Sequence, residues 1–397
     1  MSETQQVCSK TVAICCHDVV PGPPHFLRDY LLQTGCQQLL FISHVNRAVP
    51  SNPIRASSCT LYQKGSTVQK RTGSSRPMSD LLQYGFDVLR TLWWTLVIVK
   101  GPIDLFVGAG NLNAFCGVLL KRVGKVRQVA YYVIDYIPDR YPNRLKNWLY
   151  NYLEKLAARH SDVTWNYSQV MIDRREQRWG KIFRNQIVTP HGATPRYQDK
   201  VWEEKPEYLD IAYFGFVHRE QGCELVLACL PALRAVLPGV RFRLVGHCEP
   251  DYLEELHAKS RNLGVADIVT FLGMVPDHKE VEKALLHCAV GVATYRDTHG
   301  FIRNTDPGKV KTYLACGLPV IMTDVGTMAK LIKETDAGVI IPYDKQACEE
   351  ALLKVLNDPQ RLRRMSENAG RLSERYSWTA IFQTAFASLN LGKDWEL

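Results

Sequence analysis

From about residue 208 onward, short runs of apolar and β-branched residues alternate with longer amphipathic stretches. The runs IAYFGFV, RFRLVGH, IVTFLG, AVGVATY, LPVIMTD and AGVIIP are separated by stretches such as GCELVLACLPALRAVL and KEVEKALLHC. Runs of this kind are typical of buried parallel strands, and each parallel crossover needs a helix. The alternation therefore predicts a doubly wound α/β domain over residues 208–377.

The first half of the chain repeats this pattern less regularly. Strands are predicted at TVAICC, QLLFIS, IDLFVGAG, VAYYVID, DVTWNYS and QIVTPHG, with helical segments between them. Residues 1–192 are therefore predicted to form a second domain with a doubly wound parallel sheet. Residues 193–207 are polar, contain two prolines and predict an interdomain linker. A helix within 378–397 is expected to cross back to the first domain.

Two stretches of the first domain differ from this pattern. Residues 49–79, VPSNPIRASSCTLYQKGSTVQKRTGSSRPMS, show no periodicity and predict a long loop, and loops of that length are usually functional or mobile. Residues 86–100, FDVLRTLWWTLVIVK, are apolar and include Trp93 and Trp94. They predict either a buried core helix or a segment that lies at a membrane interface.

The net charge of +9 is unevenly distributed along the chain. Residues 1–206 contain 27 Lys and Arg against 15 Asp and Glu, whereas residues 207–397 contain 22 against 25. A field of one sign concentrates partners of the other, so the first half predicts an anionic partner or an ordinary solvated surface. No nucleic-acid partner is expected, because the basic residues are dispersed and form no recognised motif. An anionic membrane surface fits the same charge.

Twelve cysteines occur without a C-x-x-C pair or regular spacing, and several lie inside apolar runs. This usage indicates small core residues in a reducing compartment rather than disulfides or zinc ligands. The N-terminus has no signal-peptide pattern, and no stretch approaches the roughly 20 apolar residues of a membrane span. We expect a cytoplasmic protein, soluble or peripheral on the inner face of the membrane, with no bound metal or cofactor.

Ligands of doubly wound sheets bind at the carboxyl ends of the strands, so the residues that follow strands are candidates. The segment DPGKVKTYLACGLPVI, residues 306–321, is the strongest of these. Pro307 and Gly308 can begin a helix whose free N–H groups and dipole form an anion site, and Lys309 adds a positive charge. A turn with solvent-exposed lysines explains the same residues equally well.

This segment resembles a motif of the GT-B glycosyltransferases, particularly the retaining enzymes of family 4. Supporting matches are YFGFV from Tyr213 with Gly222, the strand Phe242–Gly246, FLG from Phe271 and TPHG ending at Gly192. The resemblance implies two Rossmann-like domains, the second of which binds a nucleoside diphosphate sugar. It also implies that the helix from Pro307, with Lys309, holds the diphosphate, and that the anomeric configuration of the sugar is retained.

The charged residues depart from the family pattern. Two glutamates of the family fall on Asn304 and Thr312, of which Thr312 offers the ribose only a single hydroxyl. An Arg and a Lys of the family, after the first strand of the donor domain, fall on Phe216 and Gln221.

Other polar residues near the donor site can compensate for these changes. His218 and Arg219 lie in the same loop as Phe216 and can neutralise a diphosphate, unless they belong to a solvated turn. Asp297 and Asp306 can bind sugar hydroxyls, or act as helix caps and turn formers.

The acceptor side is predicted in the first domain. Asp135 directly follows the strand VAYYVI, where resembling enzymes often have a His-Asp pair, but the His position holds Ile134. Asp135 can act as a base or orient a sugar, or else cap the next helix. In the loop after the first strand, Gly22 permits close backbone approach, and His25 and Arg28 can meet an anionic group. The alternative is that Arg28 pairs with a local carboxylate.

The sequence therefore predicts a glycosyltransferase in glycan or polysaccharide assembly. Its donor is a nucleotide sugar, and its acceptor is a glycan or a lipid-linked or membrane-surface molecule. A sugar-nucleotide epimerase of the same fold and a catalytically degenerate GT-B sugar-binding module remain alternatives. A dinucleotide-dependent oxidoreductase is disfavoured, because neither first strand is followed by G-x-G-x-x-G.

Overall fold

The computed structural model of the protein describes residues 10–19, 22–46, 54–73, 79–181, 183, 185–200, 209–275, 277–296, 306–326 and 328–389. The chain divides into two units. The first is Met1–Pro190 together with Ile381–Leu397, and the second is His191–Ala380.

The first unit is built on an eight-stranded sheet. Its strands are β1 (Thr11–Asp18), β2 (Gln38–Val45), β3 (Ser58–Gln63), β4 (Ser66–Thr72), β5 (Ile103–Ala109), β6 (Val126–Val133), β7 (Val163–Asn166) and β8 (Gln186–Val188). Their order is β4-β3-β2-β1-β5-β6-β7-β8, and all neighbours are parallel except in the pairs β2–β3 and β3–β4. The central strands are buried on both faces, which explains their continuous apolar sequences.

Within the described residues, five helices of the first unit connect these strands. They are α1 (Pro23–Gln33), α2 (Asp80–Ile98), α3 (Asn111–Arg122), α4 (Arg144–His160) and α5 (Gln169–Trp179). Helix α3 packs between α2 and α4. The residue before α4 is Asn143, whose side chain accepts a hydrogen bond from the Lys146 amide and so caps the helix.

The segment predicted as a long loop, residues 49–79, contains the hairpin of β3 and β4, so that prediction was wrong. Cys59 and Leu61 alternate with more exposed residues along β3 and point into the core, which is the period of a strand. Lys64 and Gly65 form the two-residue turn with φ of 48° and 79°. Positive φ at both positions matches the right-handed twist of the two strands, and glycine adopts it without strain.

The second unit confirms the predicted alternation. Its elements are β9 (Leu209–Phe214), α6 (Cys223–Val236), β10 (Val240–Val245), α7 (Pro250–Asn262), β11 (Val269–Gly273), α8 (His278–Leu286), β12 (Val290–Ala293), α9 (Gly308–Ala315), β13 (Val320–Thr323), α10 (Met328–Glu334), β14 (Gly338–Ile341), α11 (Lys345–Leu356) and α12 (Pro359–Glu374), followed by α13 (Trp378–Ala387). The order β11-β10-β9-β12-β13-β14 is parallel throughout. Two α/β units are the predicted fold class, and the predicted parallel pairing holds throughout the second sheet and in the first sheet outside the β3–β4 hairpin.

The strand order of the second sheet changes direction beside β9. β10 and β11 lie on one side of β9, whereas β12, β13 and β14 lie on the other. Such a switch point opens a crevice at the carboxyl ends of the strands, where α/β proteins bind ligands. Gly222, which begins α6 there with φ of 68°, has no room for a side chain, because a Cβ would lie 1.8 Å from the Thr294 carbonyl oxygen. The start of α6 therefore lies directly against the end of β12.

The last part of α13 belongs to the first unit. The Phe382 ring lies 5.4 Å from that of Tyr30, and the Phe386 ring lies 5.8 Å from that of Trp165. Phe382 is fully buried. These aromatic contacts complete the core of the first unit with residues from the end of the chain.

The structure describes the state of most cysteines and the apolar length of the helices. Eleven cysteines in that part of the chain are free, and all of them except the half-buried Cys248 are buried. Among the helices that the structure describes, none has both the length and the apolar character that crossing a bilayer requires.

Candidate functional site

The first candidate site lies at the switch point of the second sheet, where α9 begins. Helix α9 starts at Gly308, directly after Pro307. Within the described residues no side chain caps this end, so its first amides remain available to a ligand. Gly308 packs on the His191 ring, which a Cβ would approach to 2.9 Å. A side chain at position 308 would therefore require the His191 ring to shift.

Lys309 is the central charged group of this site. Its Nζ donates to the Tyr213 hydroxyl at 2.7 Å and to the Gln221 side-chain oxygen. The Nζ also lies 4.1 Å from the centre of the Tyr213 ring. Burial lowers the pKa of Lys309 to about 7, and within the described part of the chain no carboxylate pairs with it. The sequence predicted the position of Lys309 but not these two partners.

Gln221 stands where the family that this sequence resembles has a lysine, and its side chain contacts Lys309 and His218. Its oxygen accepts from Lys309, and its Nε2 lies 3.0 Å from His218 Nε2. Burial, followed by the charge of Lys309, lowers the pKa of His218, so this ring is neutral at pH 7. His218 therefore lies near the site but supplies hydrogen bonds rather than charge.

Arg219 lies in the same loop, in a short 3₁₀ turn. It is 54% exposed, pairs with Glu255 at 2.5 Å and stacks over the Tyr252 ring at 4.8 Å. An exposed pair of this kind is weak and exchanges partners readily. The guanidinium is therefore close to the switch point but already engaged, and its role in binding stays a prediction.

Asp306 and Lys311 form a buried ion pair beside the site. The Asp306 carboxylate accepts from Lys311 Nζ at 2.6 Å and from the His191 amide at 2.7 Å. Lys311 is fully buried and also donates to the His191 carbonyl. These contacts show a structural use of Asp306, whereas binding of a sugar hydroxyl by this residue stays a prediction.

The remaining donor-side predictions are Thr312 and Asp297. The Thr312 hydroxyl donates to the Gly308 carbonyl at 3.2 Å inside α9, and the residue is buried. That oxygen retains acceptor capacity only. Asp297 lies outside the described residues.

The second candidate site is a cavity of about 500 Å³ in the first unit. Its walls come from the loop after β1, the start of α3, the loop after β6, and the helices α2 and α4. Gly22 and Asp135, which the sequence predicts on the acceptor side, both line this cavity. Asp135 is 54% exposed and pairs with Arg140 at 2.9 Å. It does not cap α4, because Asn143 does.

His25 and Arg28 have local partners. His25 Nδ1 accepts from the Gly22 amide at 3.2 Å, and its Nε2 lies 3.4 Å from Asp18. Arg28 pairs with Asp29 at 2.7 Å, as the alternative interpretation has it. Among the described residues that line the cavity, neither His25 nor Arg28 is present. Their binding of an anion stays a prediction.

A buried polar cluster beside the cavity was missed by sequence reasoning. Asp87 of α2 lies 3.5 Å from His17 Nε2 and 3.3 Å from His44 Nδ1. Asn113 contacts His17 Nδ1 at 3.1 Å, and both His17 and Asn113 line the cavity. Burial opposes ionisation of Asp87, but the two histidines beside it hold its pKa well below the usual range. The position of His17 near the end of β1 was the one available signal.

Comparison with known proteins supports this description. Residues 209–358 match the family model described as glycosyl transferases group 1. A D-inositol 3-phosphate glycosyltransferase of Stackebrandtia nassauensis is 29% identical over 211 residues, which cover 48% of this chain and 45% of that protein. The matched region thus spans less than half the length of that curated relative.

Two solved structures extend over almost the whole chain. Sucrose-phosphate synthase from Thermosynechococcus elongatus has a TM-score of 0.65 at 16% identity, with coverage of 96% of this chain and 100% of that chain. Anabaena HepE in complex with UDP-glucose has a TM-score of 0.64 at 17% identity, with coverage of 95% and 99%. At such identities the likeness concerns the fold.

The class that these observations define is the GT-B fold of two Rossmann-like units, as in the solved glycosyltransferases. Within that class, the second unit carries the group 1 glycosyltransferase sequence pattern over residues 209–358. The resemblance predicted from the sequence is thereby confirmed, and membership of the retaining family 4 is consistent with these matches.

Proposed function

We propose that the protein transfers a sugar from a nucleoside diphosphate sugar to an acceptor hydroxyl. The observation that carries this proposal is the environment of Lys309. A half-buried cation with a depressed pKa lies at a helix start and a switch point, and no carboxylate among the described residues pairs with it. Holding such a cation out of water is costly unless an anion joins it. The diphosphate of a nucleotide sugar fits this requirement.

The donor would bind at the start of α9. HepE, a protein with this fold, has been solved in complex with UDP and with UDP-glucose, which supports a nucleotide-sugar donor. We propose that Lys309, Arg219 and the first amides of α9 neutralise the leaving diphosphate without a metal ion. His218, Asp297, Asp306 and Thr312 would then contact the nucleotide or the sugar.

The reaction would break the bond between the sugar C1 and the diphosphate oxygen. A new bond would form between C1 and the acceptor oxygen on the same face of the sugar, which retains the anomeric configuration. The acceptor hydroxyl loses its proton, and Asp135 in the first-unit cavity is the proposed carboxylate that receives it or orients the hydroxyl. The acceptor is proposed to be a glycan or a lipid-linked molecule.

A thermal-shift panel tests the donor site. UDP, GDP, ADP and UDP-glucose are added to the wild type, to Lys309→Ala and to the control Lys330→Ala, whose side chain is highly exposed. We expect one nucleotide to raise the melting temperature of the wild type and of the control, and to raise that of Lys309→Ala much less. Equal shifts in all three proteins would remove Lys309 from the site.

Product analysis separates the alternatives. Mass spectrometry and NMR of a reaction that contains donor alone would reveal an isomerised donor if the protein were an epimerase. A protein that no nucleotide stabilises would instead be a degenerate sugar-binding module. Formation of a glycoside only in the presence of acceptor supports the transferase.

A further inference from the structure

Helix α2 has its polar and apolar faces in unusual places. Four residues that it buries at every fourth position are polar, namely Gln83, Asp87, Thr91 and Thr95, and near its end it also buries the apolar Trp94 and Ile98. The residues that it exposes are apolar, namely Leu82, Phe86, Leu89, Trp93, Leu96 and Val97, and each is between 46% and 62% exposed. A surface helix of a globular protein normally shows the opposite arrangement. We call these six exposed residues the α2 stripe.

The buried polar contacts fix the helix in this orientation. Asp87 pairs with His17 and His44, and the Thr91 hydroxyl lies 2.8 Å from His44 Nε2. Gln83 donates to Asp87 at 2.7 Å. Rotating α2 to bury its stripe would break this network and leave buried polar groups without partners. The exposure of the stripe is therefore built into the packing of the unit.

Helix α4 exposes a second apolar stripe. Leu145, Trp148, Leu149 and Tyr152 are between 37% and 71% exposed, and the Trp148 and Tyr152 rings stack at 5.5 Å. We call these four residues the α4 stripe. Helix α3 packs between α2 and α4, and both of those helices line the first-unit cavity. The helices that carry the two stripes therefore also form walls of the proposed acceptor site.

The exposed charges that the structure describes on α4 and on the edge strand β4, beside the stripes, are positive. The single acidic residue of α4, Glu154, is buried against Arg175, whereas Arg144, Lys155 and Arg159 lie toward the surface. Beside the α2 stripe, the edge strand β4 contains Lys70 and Arg71 and no acidic residue, and Arg71 lies 5.6 Å from the Trp93 ring. Large apolar and aromatic side chains within a basic rim are the chemistry that binds an anionic lipid surface.

We propose that the α2 and α4 stripes dock the first unit on an anionic lipid bilayer. The apolar side chains enter the headgroup region, and the flanking lysines and arginines contact lipid phosphates. Contact between two copies through this face is disfavoured, because it would bring two basic rims together. Docking through these helices would place two walls of the cavity beside the membrane, which suits a lipid-linked acceptor. Only this last consequence rests on the proposed transferase function.

Vesicle co-sedimentation tests the docking directly. The full chain is mixed with vesicles of phosphatidylcholine alone or of phosphatidylcholine with phosphatidylglycerol, at low and high salt. We expect binding to the anionic vesicles that weakens at high salt. The variant Phe86→Ser/Leu89→Ser/Trp93→Ser should bind about tenfold or more weakly, since it removes three inserted side chains. Because all three are exposed, its circular dichroism melting curve should match that of the wild type.

Matched variants separate the contributions. Val236→Ser/Leu272→Ser removes two exposed apolar residues of the second unit and should leave vesicle binding unchanged. The variant Arg144→Gln/Lys155→Gln/Arg159→Gln should lose most of the vesicle binding that depends on salt concentration. We call Phe86→Ser/Leu89→Ser/Trp93→Ser the stripe variant. Equal binding of anionic vesicles by the wild type and the stripe variant, or no binding by either, would overturn the docking. A concentration-dependent dimer that the stripe variant abolishes would assign the face to a second copy instead.

The same variants distinguish failure of docking from failure of the proposed function. Vesicle binding is measured without donor, and the nucleotide-induced thermal shift is measured without vesicles. If vesicles do not bind while the nucleotide still stabilises the protein, the docking inference is wrong and the donor site stands. If vesicles bind while no nucleotide has any effect, the transferase proposal is wrong and the docking stands.

Discussion

The candidate sites of the two units differ in whether their charged side chains have partners of opposite charge. In the second unit Lys309 lies at the switch point with no carboxylate partner among the described residues. In the first unit the carboxylates near the cavity are already paired, Asp87 with two histidines and Asp135 with Arg140. An unpaired cation gains from an anionic ligand, whereas a paired carboxylate gains little from another charge. The proposed function accordingly assigns an anionic ligand to the second unit and a neutral hydroxyl compound to the first.

The largest expected effect is on the stability of the first unit. Asp87→Asn should lower its free energy of unfolding by about 3 kcal/mol, since it breaks a buried charged network. Because the two histidines hold the pKa of Asp87 below its unfolded value, the stabilisation is present above about pH 4 and is lost as the pH falls further. Urea unfolding at several pH values measures this, with Asp173→Asn as an exposed control. An unchanged free energy would mean that the pairing in this unit is not energetically important.

Removing the charge of the second unit should have the opposite consequence for stability. Lys309→Met should weaken donor affinity by about a hundredfold, which is the loss of charge-assisted hydrogen bonds to a diphosphate. The same variant should be as stable as the wild type or more stable, because a cation is no longer held out of water. Calorimetric titration and thermal unfolding measure the two effects. A strongly destabilised variant would show that Lys309 is a structural residue like Asp87.

The pH dependence of donor binding sharpens the same contrast. The pKa of Lys309 is about 7, so in the ligand-free protein the Lys309 side chain loses its positive charge as the pH rises above that value. Donor affinity should fall by up to about tenfold for each pH unit between 7 and 9, until the bound lysine also deprotonates. Over the same range the stability of the ligand-free protein should rise, since the unfolded lysine still binds a proton. Lys309→Met should show neither trend, and a flat wild-type profile would contradict the depressed pKa.

The smallest expected effect concerns the acceptor side. Asp135→Asn should raise the acceptor KM or lower kcat by about tenfold, the loss of one hydrogen bond to a charged group, and should leave donor affinity unchanged. Steady-state kinetics with both substrates measures this, and the nearby exposed Asp139→Asn serves as the control. A change in donor affinity in Asp135→Asn would contradict the assignment of separate ligands to the two units.

The strand and helix pattern of the second unit could be predicted from sequence, because each element there has the period of its own class. The β3–β4 hairpin could not, since Ser and Gly around short alternating runs are also typical of loops. The orientation of α2 could not be predicted from the sequence either. Its buried polar residues recur every fourth position, and in most helices such a stripe faces water.

Lys309 was predicted from its position after a strand, but its environment was not. Its two hydrogen-bond partners, Tyr213 and Gln221, lie 96 and 88 residues away in the sequence. A residue's pKa depends on burial by such distant neighbours, which local patterns do not record. The ion pair of Asp306 with Lys311 was missed for a simpler reason. An aspartate is common in turns and a lysine is common on surface helices, so neither residue alone indicates a buried pair.

The packing of α13 has a consequence for synthesis on the ribosome. Phe382 and Phe386 fill the core of the first unit, yet they follow the whole second unit in the sequence and are translated after it. Residues 1–190 emerge before residues 191–380 but lack these two rings until the second unit has been translated. The unit that begins first should therefore be completed last, after residues 191–380 have emerged and can fold. A stalled nascent chain that ends before residue 380 would expose Tyr30 and Trp165 to chaperones.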